Sequence, residues 1–533
     1  MPVPPLGFLL IAAASLPLLT FPATAADAEL RCDAVPYPDQ CRYYLTHRVG
    51  SAPKQGVDFR EITVQAALDR AVQARLEIAG SETRFEGSLQ RAAWAECFRF
   101  HDYTVRELNR TIVGLYGSRP RDPSCTGFDA QTWLSAALTN LQTCRDSSTE
   151  LGVPDLATPL LSPANVSELI SNSLAVNRNS AGCEVGESGS GVPDWVDGGG
   201  RRRLLRARRS SVAATAKVVV AQDGSGGFRT VQAAIDAAAR RGGGSIGRMF
   251  IIYVKQGNYR ENIQVGRNLD YVMLVGDGMR RTVITGNRNA KDGLSTYNTA
   301  TAAIDGIGFV ARGIAFVNSA GPERAQAVAL RSSSDLSVFY RCAFRGFQDT
   351  LFAHSQRQFY RQCYVYGTVD FIFGNAVVVF QGCMIYARAP LSGQRNVITA
   401  QGRGDANQNS GTSIHDSQIR AAPDLQRASA SFETYLGRPW QQYSRTVIMR
   451  TYIGSLVEAE GWSDWDNTDF AQATLYYGEF KNFGPSAATG GRVKWPGYHV
   501  ITDPREAAKF TVARFIAGGS WLPAAGVPFT SGL

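Results

Sequence analysis

The sequence predicts two domains, an all-α up-down helical bundle followed by an all-β parallel β-helix. Amphipathic helical patterns fill the first part of the chain, up to about residue 183. Short β-rich runs that recur about every 20 residues fill the second part, from residue 216 onward. The length of 533 residues also exceeds that of one typical domain.

Residues 1–25 have the pattern of a secretory signal peptide. Residues 6–19 are apolar, and Ala23-Thr24-Ala25 is a small-x-small cleavage site. The alternative is an N-terminal membrane anchor, which the short run broken by Pro17 disfavours. We therefore expect a secreted protein in an oxidising compartment.

Residues 26–183 are predicted to form the helical bundle. The stretch "ITVQAALDRAVQARLEIA" places apolar residues roughly on one helical face, namely Ile62, Val64, Leu68, Val72 and Leu76. Two later segments, 94–116 and 129–148, follow the same rule, and short links between amphipathic helices favour an up-down bundle.

Two kinds of local signal mark this helical part. Asp129 and Ser162 are predicted to cap helices. Asn109 and Asn165 each begin an Asn-x-Ser/Thr sequence, the acceptor for N-glycosylation.

Residues 184–215 are predicted to be a linker that contains a processing site. The first part is rich in Gly, Ser and acidic residues, which is typical of a flexible connection. "RRRLLRARR" follows at 201–209. A multi-Arg stretch between two domains of a secreted chain is interpreted as a site for a processing protease rather than as a nuclear localisation patch.

The charge is divided unevenly between the two parts. Residues 1–200 carry a net charge of −7, whereas residues 210–533 carry +10. A basic second domain predicts a polyanionic partner. In a secreted protein an acidic polysaccharide is the favoured partner, and no nucleic-acid-binding motif is present.

The cysteines predict disulfides rather than a metal site. The chain has nine Cys, an odd number, so at least one thiol is free or intermolecular. No Cys-x-x-Cys occurs and the five His are scattered, so no metal is predicted.

A repeat in the second part predicts the β-helix. Cys342, Cys363 and Cys383 are 21 and 20 residues apart, and each ends a similar phrase, "FYRC", "FYRQC" and "VFQGC". A repeat of this length with β-strands as its unit indicates stacked coils of a solenoid. Equivalent residues of adjacent coils would then lie about 4.8 Å apart.

The same period brings polar side chains together. Asp349 precedes Asp370 by 21 residues, and Gln326 precedes Gln348 by 22. Two carboxylates and two amides are therefore predicted to meet on one face. Two close acids do not both ionise easily, so their pKa values separate, and Arg438 is a candidate partner for the charged one. The alternative for each acid alone is a structural ladder.

Several stretches of the second domain resemble the plant-type pectin methylesterases. They are "GNYRE" (257–261), "QAVAL" (326–330), "FQDTL" (347–351), "DFIFGNA" (370–376) and "LGRPW" (436–440), with "RVKWPGYHVI" and "WLPAAGVPFTSGL" near the end. The likeness spans about residues 217–533 and implies a right-handed parallel β-helix.

The first domain looks like a pectin methylesterase inhibitor, most clearly in "TWLSAALTN". The "RRLL" of Arg202, Arg203, Leu204 and Leu205 resembles the family's processing motif. These resemblances imply a pro-enzyme with an inhibitor-like pro-region.

The resemblance also implies residue roles. Asp370 would be the nucleophile and Asp349 the general acid and then base. Gln348 would stabilise the oxyanion with Gln326 beside it, and Arg438 would orient the nucleophile. The residues expected to contact substrate are Thr296, Gln326, Arg438, Trp440 and Phe371, with Trp462 a further aromatic candidate.

The expected reaction is the hydrolysis of galacturonate methyl esters in cell-wall pectin, without a metal or organic cofactor. The expected partners are methyl-esterified pectin, a processing protease and free inhibitor proteins. A monomer in the cell wall is expected. The alternatives are a β-helical pectin lyase or polygalacturonase, and a non-catalytic inhibitor or wall-binding protein.

The inhibitor pattern implies two disulfides, Cys32–Cys41 and Cys97–Cys144, and does not assign Cys125 and Cys183. In the second domain Ser417 stands where many relatives have Cys. Stacking would let Cys363 pair with either Cys342 or Cys383 but not both, and Cys363 and Cys383 are the candidate pair.

Overall fold

The computed structural model describes residues 32–46, 58–116, 126–154, 166–180, 216–245, 247–428 and 431–533. The predictions of the signal peptide, the Arg202–Leu205 site, the sequon at Asn165 and the cap at Ser162 lie outside these residues, as do Cys125 and Cys183.

The first domain is helical, as predicted. Four long helices pack side by side around an Ala- and Leu-rich core, preceded by a short helix that contacts the last of them. They are α1 Pro38–Thr46, α2 Phe59–Ala79, α3 Ser88–Tyr116, α4 Gly127–Glu150 and α5 Val166–Ser180. Within the described ranges, no helix is both long enough and apolar enough to cross a membrane.

The buried face of α2 differs from the predicted one. Leu76 is 63% exposed and Val72 lies at the surface. The core side is formed by small residues one position away, including Ala67, Ala71 and Ala74. The prediction is confirmed for Ile62 and Val64, which are buried, and was wrong for Val72 and Leu76, because the closely packed second half of the helix buries alanines.

The start of α4 is a capping box. Thr126 is the N-cap, and its hydroxyl accepts a hydrogen bond from the Asp129 amide. The Asp129 carboxylate accepts from the Thr126 amide at 2.9 Å. Asp129 is therefore the third helical residue of the capping box. The prediction that Asp129 is the cap itself was wrong, because Thr126 takes that position.

The second domain is a parallel β-helix, which confirms the predicted fold class. Each complete coil contributes one strand to each of three parallel sheets. Sheet I consists of β4 Ile263–Val265, β7 Ala302–Ile304, β10 Leu330–Ser332, β13 Leu351–Ala353, β16 Ile372–Gly374, β19 Asn396–Gln401 and β22 Thr434–Pro439.

The other two sheets complete the coils. Sheet II consists of β1 Val218–Val220, β2 Phe250–Val254, β5 Val272–Gly276, β8 Val310–Arg312, β11 Ser337–Tyr340, β14 Arg357–Arg361, β17 Val377–Gln381, β20 Gly411–His415, β23 Arg445–Met449, β25 Tyr476–Phe480 and β26 Tyr498–Val500. Sheet III consists of β3 Gly257–Arg260, β6 Thr282–Gly286, β9 Ala315–Asn318, β12 Ala343–Arg345, β15 Tyr364–Gly367, β18 Met384–Ala387, β21 Gln418–Ala421 and β24 Tyr452–Ile453.

Short helices flank the coils. Helix α6, Val231–Arg240, packs against β1, β2 and β4 at the N-terminal end. The C-terminal helices share an apolar cluster with the outer residues of sheet II. The remaining helices are α7 Pro423–Gln426, α8 Pro504–Ala508, α9 Val512–Phe515 and α10 Gly518–Ala525.

Side-chain ladders hold the coils in register. Phe339, Tyr360 and Phe380 stack inside the solenoid, with ring centroids 4.7 and 4.6 Å apart. The strands that carry them pair in register, Phe339 with Tyr360 and Tyr360 with Phe380. A shift of one residue would turn these rings to the outside, so the buried ladder fixes the register.

The cysteines of the two domains behave differently. The helical domain contains the disulfides Cys32–Cys41 and Cys97–Cys144. The candidate pair Cys363 and Cys383 is not bridged, which corrects our expectation, and both are buried free thiols together with Cys342. Cys363 interacts with the thiols on both sides, and burial raises its pKa well above the usual range. A column of three thiols has no preferred pair.

We predict that these three thiols react only after unfolding. Each has 0% exposure, so a maleimide should not label them in the native chain but should label all three in denaturant. Peptide mass mapping after labelling without reductant measures this. A disulfide-linked peptide joining any two of the three would contradict it, and the bridged peptide of Cys97 and Cys144 is the internal control.

Candidate active site

The two candidate acids occupy equivalent turns that lead from sheet III into sheet I. Asp349 and Asp370 have φ of +60° and +50°, a left-handed conformation that Asp adopts more readily than most residues. The Asp349 amide donates to the Val369 carbonyl at 3.0 Å, and Leu351 pairs in register with Ile372. The acids therefore lie on adjacent coils, as the spacing of 21 residues indicated.

The two glutamines also lie on adjacent coils. The Ala327 amide, next to Gln326, donates to the Gln348 carbonyl at 3.3 Å. Both glutamine side chains are half-buried. No hydrogen bond of either side-chain amide to the described residues is found, so these groups have donors available for a ligand.

Arg438 binds one acid and not the other. Its Nε donates to Asp370 Oδ1 at 2.9 Å and an Nη to Oδ2 at 2.6 Å. Arg438 reaches Asp370 from β22, two strands away in sheet I, since Phe373 pairs with Ala400 and Ala400 with Arg438. Its guanidinium lies 4.3 Å from the ring centroid of Trp465. A bidentate pair fixes the Asp370 carboxylate in one orientation.

The electrostatics distinguish the two carboxyls. Burial raises the pKa of Asp349 well above its usual range, and the neighbouring charges of Asp370 and Glu150 raise it further. Burial also raises the pKa of Asp370, but the hydrogen bonds and the charge of Arg438 oppose that shift. Asp349 is therefore the acid that keeps its proton, and Asp370 is the one that ionises first.

The aromatic wall of the site differs from the expected one. Phe371 has 0% exposure and lies in the interior of the coils. The expectation that it lines the cleft and contacts substrate was therefore wrong. Its ring packs over Gly367, where an added Cβ would lie 2.2 Å from the Cβ of Phe371. The left-handed turn at Asp370 directs the next side chain inward and Phe373 outward.

Phe352, Phe373 and Tyr297, which the sequence did not single out, line the site together with the predicted Trp440. Phe373 and Phe352 stack with centroids 4.2 Å apart, and Trp440 contacts both edge-on, at 6.0 and 6.3 Å. Tyr297 meets Phe352 at 6.3 Å. Outward positions at equivalent places on successive coils were the signal that could have identified Phe352 and Phe373.

Trp462 is not part of this wall. It has 1% exposure, stacks on Tyr477 at 4.2 Å and donates to Glu479 at 3.4 Å. The suggestion that it stacks on a ligand was wrong, because it fills the core of the last coils.

The helical domain lies over this site. Phe100 of α3 meets Tyr297 edge-on at 4.8 Å, and the Cys97–Cys144 disulfide belongs to the same apolar cluster as the aromatic wall. The amide of Thr296, an expected substrate contact, donates to Glu150 of α4 at 2.7 Å. In the full chain, Thr296 and its neighbour Tyr297 are therefore in contact with the helical domain at the place where a substrate is expected.

One face of α4 makes several polar contacts with the β-helix. Thr139 accepts from Asn375 at 2.9 Å, and Thr143 hydrogen-bonds His354 at 2.8 Å. Asp146 and Glu150 follow on the same face at helical spacing. Burial, with the charge of Glu150 next, raises the pKa of Asp146 to about 7. Glu150 on this face lies close enough to Asp349 for its negative charge to raise the pKa of Asp349.

A buried ion cluster closes the other end of the contact. Asp335 of the β-helix accepts from Arg357 at 2.8 Å, from Arg110 of α3 at 3.1 Å and from the Trp133 indole at 3.0 Å. Arg357 in turn donates to Asp129 at 2.5 Å. These groups lower the pKa of Asp335 despite its burial. The sequence carried no signal for the contacts between the two domains in this cluster, because their partners are more than 200 residues apart.

Comparison with known proteins agrees with both domains. Residues 217–519 match the family model described as pectinesterase, and residues 28–176 match that described as plant invertase/pectin methylesterase inhibitor. The chain is 52% identical over 510 residues to the Arabidopsis thaliana "Probable pectinesterase/pectinesterase inhibitor 59", covering 94% of this chain and 93% of the relative.

Two further relatives cover the enzyme part or the whole chain. "Pectinesterase 2" of Citrus sinensis is 48% identical over 525 residues, 97% of each chain. The solved structure "Pectin methylesterase from Carrot" superposes with a TM-score of 0.58 and 52% identity, over 60% of this chain and 98% of that one. The chain therefore belongs to the pectinesterase family, the pectin methylesterases, and carries an inhibitor-family domain in front of its enzyme domain.

Proposed function

We propose that the β-helix domain hydrolyses methyl esters of galacturonate units in pectin with Asp370 as nucleophile. The observation that carries this proposal is the unequal pair of acids, since Arg438 holds the carboxylate of Asp370 while Asp349 has no such partner among the described residues. An oriented carboxylate next to a protonated acid is what attack on an ester with a poor leaving group requires.

The first half of the reaction forms an acyl-enzyme. A carboxylate oxygen of Asp370 attacks the ester carbonyl carbon, and the oxyanion that develops accepts hydrogen bonds from the amides of Gln348 and Gln326. The bond to the methoxy oxygen then breaks. Asp349 gives its proton to that oxygen, so methanol leaves and an anhydride joins the galacturonate to Asp370.

The second half regenerates the enzyme. Asp349, now a carboxylate, takes a proton from a water molecule that attacks the anhydride carbonyl. The anhydride bond breaks, which frees the Asp370 carboxylate and leaves a galacturonate carboxyl on the polymer. Trp440, Phe352 and Phe373 offer ring faces and edges on which a sugar can rest.

We further propose that the chain is made as a secreted pro-enzyme that acts in the cell wall after cleavage within residues 201–209. The support is that Glu150 binds the amide of Thr296 and that Phe100 packs on Tyr297, where a substrate would lie. Cleavage alone would leave the helical domain docked, so release also depends on how strongly the two domains bind.

Replacing Asp370 by Asn should abolish esterase activity without unfolding the enzyme. The amide keeps the shape but is a poor nucleophile, and we expect the rate to fall by about 1,000-fold or more. Methanol release from methylated pectin by the cleaved protein measures it, with the melting temperature as the control. Activity within about tenfold of wild type would exclude Asp370 as the nucleophile.

Activity should depend on pH through Asp349. Burial and the charge of Asp370 raise the pKa of Asp349, and the charge of Asp370 remains when the helical domain leaves. The proton needed for methanol departure is therefore present at acidic pH and is lost as the pH rises through that pKa. Asp349→Asn should therefore lose activity at every pH, whereas Arg438→Lys should weaken the hold on Asp370 and shift the acidic limb of the pH profile. An unchanged profile in the Arg438→Lys variant would contradict the assignment.

Docking of the helical domain should weaken as the pH rises. Asp146 lies on the face of α4 between Thr143 and Glu150, which both contact the β-helix, so we attribute to docking the burial that raises its pKa to about 7. Its contribution to docking is then complete below about pH 4 and is lost as the pH rises through about 7. In the chain cleaved at 201–209, we expect the domains to bind about tenfold more tightly at pH 5 than at pH 7, allowing for solvent screening.

The matched variant for this experiment is Asp146→Asn, which cannot titrate at this position. It should reduce the difference in domain affinity between pH 5 and pH 7, measured by gel filtration or titration of the separated domains. An Asn variant with the full wild-type pH dependence, or wild-type domains that bind better at pH 7, would contradict this account.

A further inference from the structure

An acid-free aromatic surface lies outside the site described above, on the outer face of sheet III. The eight strands of this sheet contain no Asp or Glu. From β12 to β24 their outward positions include four tyrosines and two arginines. We call this the Tyr–Arg platform and define it by Arg345, Tyr364, Tyr366, Tyr386, Arg420 and Tyr452.

The register of the coils aligns the platform. Arg345 pairs with Tyr366, Tyr366 with Tyr386, and Tyr386 with Arg420. These four side chains form one row across four successive coils. With about 4.8 Å per coil, the row is about 14 Å long.

The rings stack along the row, so that their edges and hydroxyls rather than their faces point outward. Tyr366 and Tyr386 stack with centroids 4.8 Å apart and planes within 9°, and Tyr364 stacks on Tyr386 at 6.3 Å. Arg345 lies 5.8 Å from the centre of Tyr366, and Arg420 lies 4.3 Å from that of Tyr452. All six side chains retain exposed surface.

The polar ends of the platform are free to bind a ligand. In the described part of the chain, none of its four tyrosine hydroxyls forms a hydrogen bond. Neither arginine forms an ion pair with a described carboxylate, and Arg420 bonds only the amide oxygen of Gln418, at 2.8 Å. An unpaired guanidinium at each end and free phenols between them suit a chain that carries both carboxylates and hydroxyl groups.

The platform begins at the edge of the catalytic turns. Arg345 lies four residues before Asp349, and Tyr366 lies four before Asp370. None of the contacts described between the helical domain and the β-helix involves a platform residue. A polymer strand could therefore lie on the platform while the helical domain still covers the cleft.

We propose that the Tyr–Arg platform binds demethylesterified galacturonan, the anionic product of the enzyme, at a second site beside the cleft. Sugar hydroxyls bond the phenol groups and contact the outward ring edges, and galacturonate carboxylates pair with Arg345 and Arg420. The inference rests on the proposed function, since that reaction supplies the carboxylates. It assigns a binding role to a surface that takes no part in ester hydrolysis.

The test is binding of the intact full chain to polygalacturonate at physiological salt, measured by affinity electrophoresis or calorimetry. The double variant Arg345→Gln/Arg420→Gln should bind about tenfold more weakly, from the loss of two exposed ion pairs. The control Arg240→Gln/Arg241→Gln removes the same charge at the exposed end of α6 and should keep wild-type affinity. The six Arg of residues 201–209 are common to all variants.

A second variant separates a sugar site from simple charge attraction. Tyr366→Ala/Tyr386→Ala should weaken binding of polygalacturonate and leave binding of dextran sulfate unchanged. Wild-type affinity for polygalacturonate in both platform variants would overturn the proposal, as would an equal loss in the α6 control. Melting temperatures check folding. Failure to release methanol would refute the proposed function, whereas binding to polygalacturonate can be measured and interpreted independently of that activity.

Discussion

The in-register stacking of parallel coils is the constraint on which the site depends. Each strand pairs with the strand one coil before and one coil after it. In the coils that carry Asp349 and Asp370, residues about 21 positions apart therefore lie next to each other, whereas longer turns separate partners elsewhere, such as Val377 and Gly411. Buried ladders such as that of Phe339, Tyr360 and Phe380 prevent a shift of register. Catalytic groups can then be placed on successive coils with the precision of a β-sheet, although they sit in turns.

The same stacking places two buried carboxyls, Asp349 and Asp370, next to each other, so that their charges repel. Adjacent carboxyls repel when both are charged, and burial raises the pKa of Asp349 and Asp370 alike. Arg438 removes the symmetry by binding only Asp370. One coil therefore presents an ionised carboxylate and the next a protonated one. The proposed chemistry needs that difference rather than either acid alone.

The helical domain docks on the face of the β-helix that contains the candidate site. A cleft that admits a polymer also admits the side of a helix, and α4 supplies small polar residues that hydrogen-bond the outward groups of sheet I. Glu150 approaches Asp349, which adds a negative charge to an acid that already resists ionisation. Contact between acids makes the docked state sensitive to protons, and the outer face of sheet III stays uncovered.

The sequence by itself determined the fold class and the meeting of Asp349 with Asp370, because the coils that carry these acids keep spatial neighbours at a nearly constant spacing along the chain. Only the tertiary structure decided which rings face the cleft, since a left-handed turn at Asp370 reverses the side on which Phe371 lies. It also decided that Cys363 has two equal neighbours and no disulfide. Contacts such as Arg110 with Asp335 follow no period, because two separately folded surfaces meet there, and no spacing along the chain could have predicted them.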